Sequence, residues 1–162
     1  MFEGHHYQNA YIVEDIEAAI AVFRKRSSIG ESPIYDIAQT ISTPNGPKDQ
    51  AVRLAFLWVG DMQYELIQVV KDEANVYANW TENGAASDPK SKMHFHHICM
   101  RVEGDWESFR ARVAAQDLPV VMERAVEGDA LKFLYLDARP IIGHYLEYLW
   151  TTDERWAAMT PV

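Results

Sequence analysis

The sequence predicts an α+β protein: two tandem β-α-β-β-β units whose curved mixed sheets surround a metal-containing cleft. Three observations lead there. The stretch QNAYIVEDIEAAIAVFRKR from Gln8 aligns with HICMRVEGDWESFRARVAA from His97, so that Val13 falls on Val102 and Asp15 on Asp105, with Gly104 as an extra residue. Further along, DMQYELIQ around Glu65 resembles GHYLEYLW around Glu147. Both copies also read strand, helix, strand, strand, strand in their apolar pattern. The repeated unit is too long for a solenoid repeat. Duplication therefore implies two similar halves about a pseudo-twofold axis, with equivalent residues converging on one point. Gln8, Glu65, His97 and Glu147 are all oxygen or nitrogen donors, which makes a metal ion the first expectation.

Residues 6–70 are expected to form the first unit, 71–94 a connector, 95–150 the second unit and 151–162 a tail, all within one domain over 1–162. In the first unit, Tyr7, Tyr11, Ile12 and Val13 favour a strand. Asp15 is a natural N-cap, and Ile16, Ile20 and Phe23 then recur at helical spacing until the Arg24–Ser28 region. SPIYDIAQTIS offers a second strand, and STPNGPKDQ reads as a turn or mobile loop. AVRLAFLWVG and MQYELIQVV, separated by Gly60-Asp61, form a hairpin. The connector is polar, with a short helix expected around Val76–Trp80. In the second unit, HFHHICMRV is a strand and Asp105 opens a helix faced by Trp106, Phe109 and Val113. LPVVMERAV, LKFLYLDA and GHYLEYLW are three more strands, broken by Glu127-Gly128-Asp129 and Arg139-Pro140. In the tail, Trp156 and Met159 lie on one side of a short helix.

Strand alternation places Gln8 on one face with His6, Ala10 and Ile12, and His97 with Phe95, Cys99 and Arg101. Tyr11 and Val13 then point to the helices. His5, His94 and His96 are expected to be exposed, with His96 alternatively behind the ligands, and His144 faces outward.

Composition narrows the function classes. Hydrophobic residues make up 48% and charged residues 24%, the balance of a soluble globular protein. A net charge of −9 is the wrong sign for a general nucleic-acid binder, and there is no basic run for an anionic membrane. One cysteine, Cys99, excludes an internal disulfide and agrees with a reducing, cytoplasmic setting. No apolar run reaches the ~18 residues of a membrane span, and MFEGHHYQN lacks the pattern of a secretory signal.

The paired units, the HHIC run at 96–99 and the G-x-x-x-E from Gly143 to Glu147 resemble the vicinal oxygen chelate superfamily. That group includes glyoxalase I, methylmalonyl-CoA epimerase, extradiol dioxygenases and bleomycin- or fosfomycin-resistance proteins. The resemblance runs from His6 to Trp150 and implies Gln8, Glu65, His97 and Glu147 as metal ligands, with His6 as the alternative to Gln8. It also implies a homodimer, and favours Glu147 over Glu65 as the base. YELIQVVKDEANVYANWTENG followed by HHIC has the layout of the epimerase branch, although Phe95 replaces the usual glycine before the histidine pair.

One imidazole, two carboxylates and an amide oxygen form a hard donor set suited to Zn, Ni, Co, Mn or Mg. Such an ion polarises a carbonyl while Glu147 or Glu65 moves a proton. The expected function is thus a metal-dependent isomerase, epimerase or lyase acting on a small carbonyl or acyl-thioester substrate through an enolate-like intermediate. Fe(II) ring cleavage is an alternative, as is a non-catalytic protein that binds a small molecule. Against the ligand reading, each carboxylate could occupy a solvated strand face, and His97 could be a hydrogen-bonded core residue. Arg53, Trp58, Cys99, Arg101 and Tyr145 are candidates for substrate contact, joined by Tyr77; Cys99 is read as an apolar wall.

Overall fold

The computed structural model describes residues 3–77, 93–126, 128 and 130–160. The chain runs β1 (His5–Val13), α1 (Ile16–Arg26), β2 (Ile34–Thr43), β3 (Gly46–Val59), β4 (Met62–Asp72), β5 (Met93–Arg101) and α2 (Trp106–Ala114). It continues as β6 (Val120–Val126), β7 (Leu131–Leu136), α3 (Arg139–Ile142), β8 (Tyr145–Thr151) and α4 (Asp153–Met159). The strands close into a barrel in the order β1-β4-β3-β2-β6-β7-β8-β5. Each half supplies four adjacent strands, and the second half mirrors the first. The two halves meet along β1 and β5, which pair antiparallel over their length, and again where Ser42 of β2 registers with Glu123 of β6. This is the doubled β-α-β-β-β architecture the sequence predicts.

The helices lie on the outside for matching reasons. Asp15 accepts a hydrogen bond from the Ala18 amide at 2.8 Å and Asp105 from Ser108 at 2.7 Å, so each cap satisfies an otherwise unpaired donor. α1 then buries Ile16, Ala19 and Ile20 against Ala55, Leu57 and Leu66. α2 buries Trp106, Phe109 and Val113 against Leu134, Leu136 and Leu146. Fully burying an apolar side chain of this size contributes about 1.5–3 kcal/mol, so each helix is held chiefly by its sheet. Tyr11 and Val13 face α1, as alternation predicts.

Three local expectations are corrected. STPNGPKDQ is not a loop beyond Pro44-Asn45: Thr43 pairs with Gly46 and Ser42 with Pro47, so β2 and β3 form one long hairpin. Gly46 has φ +89°, the left-handed residue that lets a tight turn enter a twisted strand. Pro47 is tolerated because β3 does not begin pairing with β4 until Gln50. Arg139-Pro140 does not merely break strands but opens the single turn α3, with Pro at its start where no amide is required. β4 continues through Lys71 and Asp72, and β5 begins at Met93, so strands reach into the expected connector. Of the helix expected at 76–80, Val76 and Tyr77 form a bend, and the rest lies outside the described residues, as do Glu127 and Asp129. Among the described residues no helix is long and apolar enough to cross a membrane.

Candidate metal centre

The seam between β1 and β5 decides which side chains enter the barrel. His6 registers with Met100 and Gln8 with Cys99, leaving Tyr7 as an extra residue. Ala10 registers with His97 and Tyr11 with Phe95, leaving His96 as an extra residue on the other strand. A β-bulge of this kind turns two neighbouring side chains out of strict alternation. Tyr7 and Gln8 are both buried as a result, and so are His96 and His97, each at 0% exposure.

Glu65 on β4 and Glu147 on β8 point into the same space. His97 Nε2 lies 2.9 Å from Glu147 Oε2 and 3.4 Å from Glu65 Oε2. One donor atom from each of the three falls within 4.8 Å of the other two, close enough to bind one cation with bonds of about 2.0–2.2 Å. Gln8 lines the same cavity. Its Nε2 donates to Gln63 Oε1 at 2.7 Å, while its Oε1 is buried with no partner among the described residues. Such an orphaned oxygen is costly unless something binds it. The three ionisable groups and this amide oxygen fit a hard divalent cation.

The imidazole is oriented from behind. His96 Nε2 lies 3.0 Å from the Val76 carbonyl oxygen, which can only accept, so that nitrogen carries a proton. Burial drives the His96 pKa well below its usual value, with neighbouring His97 adding to the effect, so the ring is neutral and its Nδ1 is an acceptor. At 2.8 Å, His97 Nδ1 must therefore donate to it. That bond leaves His97 Nε2 as the atom facing the carboxylates. Burial lowers the His97 pKa, but hydrogen bonds and charge from Glu147 and Glu65 outweigh it and bring the value up to about 9. Without a cation, His97 thus holds the proton between the two carboxylates. Burial also raises the Glu65 pKa, opposed by its bond to His97. The Tyr135 hydroxyl sits 3.3 Å from His97 Nε2.

Above this floor lies a cavity of about 800 Å³, walled by Val52, Leu54, Phe56, Phe133 and Leu149. The carboxyl-terminal helix α4 covers one side. Trp58 Nε1 donates to the Met159 carbonyl at 3.2 Å, and Trp156 packs edge-on against Tyr7.

The structure separates the sequence candidates. Glu65, His97 and Glu147 come together, with Gln8 in the same cavity. His6 does not join them: the bulge at Tyr7 turns it aside, and its Nε2 lies 3.1 Å from Asn9 Oδ1. Phe95 does not share the His97 face, because the bulge at His96 intervenes; its ring packs against Tyr11 and His144. His96 is not exposed but fully buried behind His97. Trp58 and Tyr77 line the cavity. Arg53 does not: it is on the helix side of β3, paired with Glu17 at 2.7 Å and Asp36 at 3.2 Å. Arg101 lies at the barrel end, bonded to Asp153 at 2.9 Å and stacked over Trp156, where it anchors α4. Tyr145 packs in the core beside His96 and under Arg139. Cys99 is fully buried with Tyr7 and Leu149, and burial pushes its thiol pKa well up, so it is inert packing.

Sequence reasoning missed Gln63 and Tyr135, and for His96 the structure bears out the alternative placement behind the ligands rather than the exposed one. Gln63 was open to it, two residues before Glu65 on the same strand face. Tyr135 registers opposite Glu147, which only the strand pairing reveals.

Comparison with known proteins follows the same lines. A profile of the Glyoxalase/Bleomycin resistance protein/Dioxygenase superfamily matches residues 7–135. No curated protein matches the sequence. Among solved structures, methylmalonyl-CoA epimerase from Mycobacterium tuberculosis superposes with a TM-score of 0.61 at 18% identity, covering 97% of each chain. The Streptomyces coelicolor methylmalonyl-CoA epimerase, in complex with 2-nitronate-propionyl-CoA, gives 0.62 at 14% identity over 92% of this chain and 98% of that one. A hypothetical protein, BH1468 from Bacillus halodurans C-125, gives 0.61 at 15% identity over 91% and 94%. At these identities the likeness is one of fold.

Proposed function

We propose that this chain, which belongs to the Glyoxalase/Bleomycin resistance protein/Dioxygenase superfamily, is a metal-dependent isomerase, epimerase or lyase. Its substrate is a small carbonyl compound or acyl thioester that passes through an enolate-like intermediate. The reading rests on the meeting of Glu65, His97 and Glu147 within 4.8 Å at the cavity floor, in the same cavity as a Gln8 oxygen that has no partner among the described residues.

Gln8, Glu65, His97 and Glu147 would hold the ion; the hard donor set suits Zn, Ni, Co, Mn or Mg. When bound, the ion supplies Lewis acidity to the substrate carbonyl. The protein does the remaining work. Gln63 holds the Gln8 amide so that its oxygen, not its nitrogen, is available. His96 presents His97 through Nε2. Glu147, or Glu65, takes the proton from the carbon beside the carbonyl and returns it to the same or the adjacent carbon. The apolar walls and α4 keep bulk water from competing for that proton.

Ring cleavage at Fe(II) calls for two imidazoles and one carboxylate. Here His6 is directed to Asn9 and His96 to Val76, so the side chains favour the first reading.

The test is metal analysis of untagged protein, before and after reconstitution, with wild type, His97→Ala and Glu147→Gln compared. Wild type should hold about one divalent ion and catalyse deuterium exchange beside the carbonyl in some member of a substrate panel; both variants should lose each property. Failure of the wild type to retain any divalent ion would overturn the proposal, and iron with oxygen uptake would favour ring cleavage.

A further inference from the structure

We infer that the substrate is a free, largely apolar carbonyl compound, with at most one anionic group besides its metal-binding oxygens, rather than a nucleotide-borne thioester. The inference rests on the metal-site reading above and narrows it.

The cavity has two levels. Its floor is polar, formed by Gln8, Gln63, Glu65 and Glu147. Above the floor the walls are largely apolar: Val52, Leu54 and Phe56 on β3 face Leu131 and Phe133 on β7, with Leu149 on β8, while Asp36, Gln39, Arg124 and Arg155 add polar groups to the lining. A volume of about 800 Å³ is that of a pocket for a compact molecule of drug-like size. Such walls reward an aryl or branched aliphatic body and give nothing to a hydrated chain. The α4 side is closed by a Trp58–Met159 hydrogen bond and by Arg101, which is already committed to Asp153 and Trp156.

Charge argues the same way. Among the described residues, the cavity is lined by only two cations, Arg124 and Arg155. Arg124 already donates to Gln39. A nucleotide carrier brings several phosphate charges to a chain whose own net charge is −9, and the described cavity offers no cluster of cations to receive them. Two arginines beyond the apolar walls suit one carboxylate or none.

Hydroxamates, which present two adjacent oxygens to a metal, separate the possibilities. Acetohydroxamate, benzohydroxamate and propionyl-CoA would be titrated calorimetrically into the zinc-loaded protein, its zinc content measured independently. Benzohydroxamate should bind about 10- to 100-fold more tightly than acetohydroxamate, from burial of the ring, and propionyl-CoA should bind more weakly than benzohydroxamate. Phe133→Ala and Leu54→Ser should each reduce benzohydroxamate affinity about tenfold and lower acetohydroxamate affinity by less. Equal affinity for the two hydroxamates, or tighter binding of propionyl-CoA, would overturn this inference while leaving the metal site standing. Zinc uptake with no binding of either hydroxamate would also overturn this inference, whereas failure to take up zinc would overturn the metal-site reading on which it rests.

Discussion

The two halves of the barrel use one device for different ends. On β1 the extra residue Tyr7 precedes Gln8; on β5 the extra residue His96 precedes His97. Ala10 registers beside Glu65 just as Cys99 registers beside Glu147. Phe56 lies opposite Glu65 where Tyr135 lies opposite Glu147. Geometry is thus shared, while chemistry has diverged. The second half brings an imidazole, a histidine behind it and a tyrosine hydroxyl beside it. The first half brings an amide steadied by Gln63, and a tyrosine that receives only a weak bond from Cys99 at 3.6 Å. Backbone symmetry therefore sets where a side chain can act, and the residue placed there sets what it does.

The sharpest way to break the comparison is to remove the equivalent ligands in turn. His97→Ala should weaken zinc binding at least about 100-fold and Gln8→Ala about tenfold, measured by chelator competition, since a neutral amide oxygen is the weaker donor. Equal losses would mean that the halves contribute alike. The bulged residues come next. His96→Phe should reduce zinc affinity about 10- to 100-fold by releasing the His97 ring, whereas Tyr7→Phe should change it less than about threefold. Nitrogen NMR shifts of His97 should show loss of the fixed Nδ1–H form in the first variant only.

A further effect is expected from pH on the chelator-treated protein. His97 has its pKa raised from 6.5 to about 9 in the folded state, so its contribution is full below pH 6.5 and lost as pH rises through 9. Urea unfolding should show a fall of about 3 kcal/mol over that window, absent in His97→Ala. The smallest effect should also be the most symmetric: Asp15→Ala and Asp105→Ala should each cost about 1 kcal/mol, equally in the two halves. A marked inequality would show that one helix is held by more than its cap and its sheet.

Much of this was legible in the residues themselves. Asp15 and Asp105 mark the helix starts, Gly60-Asp61 marks a hairpin, and the spacing of Ile16 and Ile20 marks a buried stripe. Glu65 and Glu147 could be singled out because a carboxylate in an apolar strand needs a reason, and duplication supplied the same reason twice. The bulges were not legible. Alternation carries no sign of an extra residue, so it places His6 with Gln8 and Phe95 with His97, and it leaves His96 either exposed or behind the ligands. Arg53 is a different kind of miss: it lies an odd number of residues from Trp58 on β3, so alternation alone sets them on opposite faces. Tyr135 depends on which strands neighbour each other around the barrel, a long-range fact that no local pattern encodes.

Along the joint between β2 and β6, Ser42 with Glu123 is the one registered pair, helped by the side-chain contact of Arg124 with Gln39. The opposite joint is zipped from His5 to Val13. A ring fastened so unevenly should part first along its loose margin, like a hinged bracelet, with the ligand residues on its closed side keeping their spacing. Amides along that loose margin should exchange with solvent ahead of those around Gln8 and His97, and a guest molecule would find its way in there.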